Sequence, residues 1–159
     1  LFFSDVAYRQ KVRSPLEYAL GIVRGTGKMI PTVPLSQELA NQGQRLYLPP
    51  TTSGWPGGRH WINAAAVLRR ENLAADLLAE KGPYSGRLDL ASIAEQHGHD
   101  DPRSAAEFVL KLYLQDDVSD QTRQELLRST PSGRDKKKNS EWLRTLTHRV
   151  VTLPEFHLC

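Results

Sequence analysis

The sequence predicts an all-α protein: an irregular array of six or seven helices, interrupted by one long loop rich in glycine, proline and tryptophan. Three observations carry that expectation. Apolar residues recur at i, i+3, i+4 and i+7 in most segments, the period of one helix face. Start signals (Ser14-Pro15, Asp101-Pro102) and stop signals (Gly25, Gly82-Pro83, Gly98) punctuate these segments at short intervals. No stretch alternates apolar and polar side chains convincingly, as a half-buried strand would. At 159 residues the chain has the length of one domain, so residues 1–159 are read as a single helical unit.

In chain order, Ser14 supplies a capping oxygen and Pro15 pre-sets the first helical φ. Leu16, Ala19, Leu20 and Val23 then follow at helical spacing until Gly25 and Gly27 stop the run. A second, shorter helix is expected from Pro34 or Ser36 to Gln44. Residues 45–62 break the period with Pro49, Pro50, Gly54, Pro56, Gly57 and Gly58, which marks a shaped loop. From Ile62 or Asn63 to Lys81 the longest helix is expected, with a stripe of Ala64, Val67, Leu68, Ala74, Ala75 and Leu78, widened by Leu73 and Leu77. So apolar a girth predicts a central place.

The second half continues the pattern. Leu88 to Gln96 reads as a short helix ended by Gly98. Asp101-Pro102 opens another, burying Phe108, Val109, Leu112 and Tyr113 and pairing Glu107 with Lys111. Ser119 caps a helix through Leu126 and Leu127. Residues 129–139 read as an exposed basic loop holding Arg134, Lys136, Lys137 and Lys138. A last helix after Asn139 or Ser140 carries Trp142, Leu146, Val150 and Leu153 up to Pro154.

Composition narrows the function classes. The 25% charged residues and a mean hydropathy of −0.49 argue against both a membrane span and gross disorder. One cysteine, Cys159, excludes an internal disulfide and a multi-cysteine metal site. The net charge of +3 hides an acidic block, four Lys/Arg against nine Asp/Glu in residues 86–127. A basic block of seven against two follows in residues 128–149. Adjacent blocks of opposite sign usually face each other or solvent. Nucleic-acid binding would require Arg134 to Lys138 to share a face with Arg128, Arg144 and Arg149, and it is not expected. The opening Leu1-Phe2-Phe3 is apolar with no basic stretch before it, so it reads as a cut helix or strand of a longer chain rather than a signal peptide.

Three local patterns point to a family. Val12-Arg13-Ser14-Pro15-Leu16-Glu17-Tyr18 opens a helix. Leu48-Pro49-Pro50 then leads into Gly54-Trp55-Pro56-Gly57-Gly58-Arg59-His60-Trp61-Ile62-Asn63. Leu153-Pro154-Glu155-Phe156 closes the chain. In order and spacing these resemble the C-terminal third of the bacterial family called domain of unknown function, DUF1800. The middle pattern is the specific one. The resemblance implies a C-terminal piece of a larger, mostly helical protein, exported or periplasmic, with a sulfatase-like protein as a partner by gene neighbourhood. It implies no established activity, so no catalytic residue can be carried over.

Among the residues that could carry chemistry, Trp55, Arg59, His60 and Trp61 form the prime ligand-binding set. Ring faces stack on a sugar or a peptide side chain, and a guanidinium grips a carboxylate, sulfate or phosphate. The same loop can equally be a rigid buckle in which the tryptophans plug gaps and Asn63 caps the long helix. His97-Gly98-His99-Asp100-Asp101 offers four potential metal ligands. Helix capping explains them as well, so no metal and no cofactor is expected. Ser14 lacks a nucleophile elbow, Cys159 lacks a fixed base, and Gly25-Thr26-Gly27-Lys28 lacks the spacing of a phosphate loop. Arg69 and Arg70 fall on a helix expected to be buried, where a guanidinium needs a partner: Glu17, Glu71 or a carbonyl at a helix end. The expectation is a binding or scaffolding module that uses Trp55 to Asn63 as its contact surface. The alternative is part of a hydrolase acting on an extracellular polymer or sulfated sugar.

Overall fold

In a computed structural model, which describes residues 8–84, 86–133 and 135–159, eight α-helices and one 3-10 turn follow one another. They are α1 (Pro15–Arg24), α2 (Thr32–Asn41), the 3-10 turn (Gly58–Trp61), α3 (Ala64–Leu78), α4 (Leu90–Gln96), α5 (Pro102–Leu114), α6 (Asp120–Leu127), α7 (Lys136–Val151) and α8 (Pro154–His157). The all-α expectation holds, and among the described residues pairing of the β type is confined to two isolated bridges, Val12 with Leu158 and Thr51 with Gly54.

Local chemistry sets most helix starts. Ser14 Oγ accepts from the Glu17 amide while the Glu17 carboxylate accepts from the Ser14 amide, a reciprocal cap that satisfies two orphan donors. Asn63, Asp89, Asp101, Ser119 and Asp135 each accept from amides two or three residues ahead. α7 is the hub, packing on α3, α4, α5, α6 and α8, while α1 lies on α3. The core around it holds Ile22, Leu39, Leu77, Val109, Leu146 and Val150.

Several boundaries and faces depart from the sequence reading. α2 begins at Thr32, because Pro34 sits in the first turn, where a missing N–H breaks no helical bond. It ends at Asn41, before Gly43 turns into the left-handed region at φ +89. α3 stops at Leu78 with Ala79 already extended. α4 starts two residues later than Leu88, because Asp89 is its cap. α7, not α3, is the longest and central helix. It already starts at Lys136, because Asp135 caps the very lysines that read as loop.

The buried face of α3 is Arg70, Leu73, Ala74, Leu77 and Leu78, so Ala64, Leu68 and Ala75 of the expected stripe face solvent. Glu107 pairs with Arg123 of α6 at 2.5 Å instead of Lys111. Leu1-Phe2-Phe3 and Arg134 lie outside the described residues.

Candidate functional site

The loop expected to carry function is built on buried anchors. Gln44, itself buried, uses its side-chain oxygen to accept from the Leu16 amide at 2.8 Å, which ties the end of α2 to the start of α1. A turn closed by Leu48 N–H to Arg45 O follows, and it places Tyr47 at φ 63, a backbone region that a bulky side chain rarely occupies. The next turn closes through Gly54 N–H to Thr51 O at 3.0 Å and Thr51 Oγ1 to Gly54 O at 3.1 Å. Gly58, at φ +60, then opens the 3-10 turn.

The four predicted contact residues separate by role. Trp61 is buried and stands against the end of α2, where a Cβ at Gly43 would lie 3.9 Å from its ring. It therefore holds the loop down. Asn63 caps α3 by accepting from the Ala66 amide at 2.9 Å. Arg59 and His60 are exposed. The His60 ring nitrogen lies 3.1 Å from Gly57 O, and Arg59 meets no carboxylate among the described residues. Trp55 is half-buried, and its indole N–H is enclosed without an acceptor.

The sequence on either side of this loop supplies exposed apolar and basic side chains. Of the seven exposed large apolar side chains among the described residues, six, Met29 (85%), Val33 (73%), Tyr47 (97%), Leu48, Ile62 and Leu68, fall between residues 29 and 68 of the sequence, and Tyr8 is the seventh. Val33 of α2 and Tyr47 of the loop share one groove with Arg45. The same stretch of chain, residues 24–70, carries Arg24, Lys28, Arg45, Arg59, Arg69 and Arg70 against the single acid Glu38. Of these, Arg70 alone is buried. Sequence reasoning missed Tyr47 and its neighbours, because the signal, five apolar or proline residues in the run Leu46-Tyr47-Leu48-Pro49-Pro50, reads only as loop punctuation.

The other sequence candidates turn out to serve the architecture. His97 stacks on Phe108 with centroids 5.3 Å apart. His99 lies 4.9 Å from the same ring and 2.6 Å from Ser104 Oγ, and Asp101 caps α5. No three metal-ligating side chains gather among the described residues. Ser14 is a cap, and Gly25 to Lys28 is the stop of α1. Lys136 pairs with Glu95, Lys138 with Asp135 and Arg144 with Glu80, so three of the basic residues considered for nucleic acid already hold carboxylates.

The first and last of the three sequence patterns meet in space. Val12 bridges Leu158, Lys11 exchanges backbone hydrogen bonds with Cys159, and the Arg13 guanidinium lies 4.4 Å above the Phe156 ring. Beneath them Arg70 is fully buried. Its Nη2 donates to Arg13 O at 2.7 Å, its Nη1 to His157 Nδ1 at 3.1 Å, and its Nε has no partner. The carbonyl end foreseen for Arg70 is thus Arg13, while Arg69 and Glu71 are exposed. His157 stacks on Tyr18 with centroids 5.1 Å apart, and Phe156 meets the same tyrosine edge-on at 5.5 Å. Burial, and then the charge of Arg70, push the His157 pKa down to about 4, while burial raises that of Tyr18 and lowers that of Arg70. These displaced groups lie together in the interior, as a latch between the two ends of the described chain.

No helix of the described residues is long and apolar enough to cross a membrane. A family model described as "Protein of unknown function (DUF1800)" matches residues 1–158. No curated protein and no solved structure matches the chain.

Proposed function

We propose that this chain, which belongs to the DUF1800 family, is a helical binding module that presents α2 and residues 45–62 to an acidic, apolar-bearing face of a protein partner. The observation that carries the reading is the groove in which the exposed Val33 of α2 and Tyr47 of the loop lie beside Arg45, in a stretch of sequence where Met29, Leu48, Ile62 and Leu68 are exposed as well. An apolar surface of that kind, rimmed by polar groups, marks interaction sites on soluble proteins.

Two further features support it. Tyr47 is held at positive φ and almost fully exposed, an arrangement that costs about 1–3 kcal/mol and that a contact made by its ring offsets. Arg45 and Arg59 have no carboxylate within the described residues, so their charges are available to steer an acidic partner. Within the loop, Arg59, His60 and the open edge of Trp55 make the contact, and Trp61 keeps them in place.

The test replaces Tyr47 with the photo-crosslinker p-benzoylphenylalanine in the cells that make the protein. Glu125 on α6 serves as the control position. A discrete adduct from position 47 that disappears with Arg45→Glu/Arg59→Glu, and no adduct from position 125, is the expected result. Equal crosslinking at both positions, or an adduct indifferent to the charge reversal, would overturn the reading.

A further inference from the structure

A second site, independent of the loop, lies where the two ends of the described chain meet α5. Residues 9–13 are tied on one side to the turn after α5, through the Arg9–Asp117 ion pair at 3.1 Å. On the other side Lys11 N–H donates to Cys159 O at 3.0 Å, beyond α8. α5 itself stops in a left-handed turn at Gln115, φ 52, and reaches no further into the space between these ties. A cavity of about 300 Å³ is left there, at the lower end of the size range of small-molecule sites. Tyr113, Leu114 and Leu158 form its apolar wall.

Four charged side chains line this cavity, and only two of them pair. Arg9 and Asp117 neutralise each other. Arg13 and Glu155 are both half-buried, and neither forms an ion pair with the other or with any other described residue. The Arg13 guanidinium lies 4.4 Å over the Phe156 ring, yet its nitrogens donate to no described acceptor, and they are not among the enclosed, unpartnered polar atoms. The Glu155 carboxylate oxygens likewise accept from nothing described and are not enclosed. Both groups are therefore open to a bound molecule. Each is a charge partly withdrawn from water without a counter-charge, and the two stand too far apart to serve each other. The lining thus offers an apolar wall, one free cation and one free anion across a gap.

We propose that this pocket binds a small zwitterion of the α-amino acid kind. Its carboxylate accepts from the Arg13 guanidinium, its ammonium donates to the Glu155 carboxylate, and an apolar side chain rests against Tyr113, Leu114 and Leu158. An acid without the ammonium engages Arg13 but leaves Glu155 unpaired and brings a like charge towards it. An amine without the carboxylate does the reverse. Only a molecule that carries both charges neutralises both sides of the gap, so the zwitterion is preferred over either analogue.

The experiment titrates the full 159-residue chain at neutral pH with leucine, 4-methylpentanoate and 3-methylbutylamine, which share one branched body, following the Leu114 and Leu158 methyl groups by NMR. Leucine is expected to shift both sets of signals saturably, and to bind about fivefold more tightly than either analogue, the value of one partly exposed ion pair. Glu155→Gln should bring leucine to parity with 4-methylpentanoate, and Arg13→Gln should bring it to parity with 3-methylbutylamine. The two substitutions erase different preferences, a pattern that a loosened fold does not produce. Glu155 bonds to no described residue, so its variant keeps the test open should Arg13→Gln, which gives up the contact with Phe156, disturb the structure. Equal affinity for all three compounds, no saturable shift with leucine, or a preference for leucine over 4-methylpentanoate that outlasts Glu155→Gln would overturn the proposal.

Discussion

Acid should open the latch between the ends of the chain, and His157 sets how steeply. In the folded protein His157 is buried, and its Nδ1 must accept from Arg70 Nη1 at 3.1 Å, so the ring is held neutral. Burial and the neighbouring guanidinium hold its pKa near 4, against 6.5 for an ordinary histidine. Between those two values the unfolded chain takes up a proton that the folded chain refuses, so stability falls as the pH is lowered through this window. Above pH 6.5 neither state binds the proton, and below about 4 both do. Linkage between these two pKa values makes the loss about 2 kcal/mol from pH 7 to pH 5, rising to about 3 kcal/mol at pH 3.

Urea unfolding at pH 7, 6 and 5 measures it, with His157→Gln as the reference, since glutamine keeps an acceptor for Arg70 but does not titrate. The carboxylates titrate alike in both proteins, so the difference isolates the imidazole. Wild-type protein should lose about 2 kcal/mol more than the variant over this range. Parallel pH profiles, or a His157 ring that titrates near 6.5 in the folded state by NMR, would refute the reasoning.

Other perturbations follow from the same contacts. Ser14→Ala removes the reciprocal cap of α1 and should cost about 1 kcal/mol, seen as a melting temperature lowered by roughly 2–4 °C. Gly21→Ala should destabilise although it sits inside a helix: the flexible Arg13 guanidinium 2.8 Å from a Cβ there can swing aside, but Phe156 Cζ at 3.2 Å belongs to a buried ring with no room to move. Overpacking of about 1–3 kcal/mol then exceeds the gain of about 1 kcal/mol in helix propensity, which calorimetry resolves by its sign. Trp61→Ala should cost about 3 kcal/mol and speed hydrogen exchange in residues 45–62 more than in α5 or α7.

What could be read from the chain was the chemistry that acts over a few residues. Ser14 with Pro15, Asp101 with Pro102 and Ser119 each bond to amides two or three positions away, so composition and spacing reveal them. The faces of helices were legible only where the partner was generic. On α3 alanines and leucines occur on several sides. The face that is buried was decided by Arg70, whose acceptors at Arg13 and His157 lie 57 and 87 residues away in sequence. No periodicity encodes those.

The start of α7 was hidden because three consecutive lysines after Gly133 look like a solvated loop, while a single aspartate, Asp135, suffices to cap them into a helix. The candidate loop was visible as a Gly-Trp-Pro-Gly-Gly pattern, but its division of labour was not. Trp61 is an anchor because the end of α2 comes to meet it at Gly43. Tyr47 carries the exposed aromatic face because its backbone adopts a turn that its residue type disfavours. The pocket lined by Arg13 and Glu155 brings together side chains from opposite ends of the chain, and so lay beyond any local signal.

The most direct test of the binding reading is hydrogen exchange on the protein recovered from its own cells under low salt, compared with the same protein stripped at high salt. Slowed exchange confined to α2 and residues 45–62 in the low-salt sample, with α6 unchanged, is the predicted result. Protection centred on α6 or the outer face of α7, or identical exchange in the two samples, would contradict it.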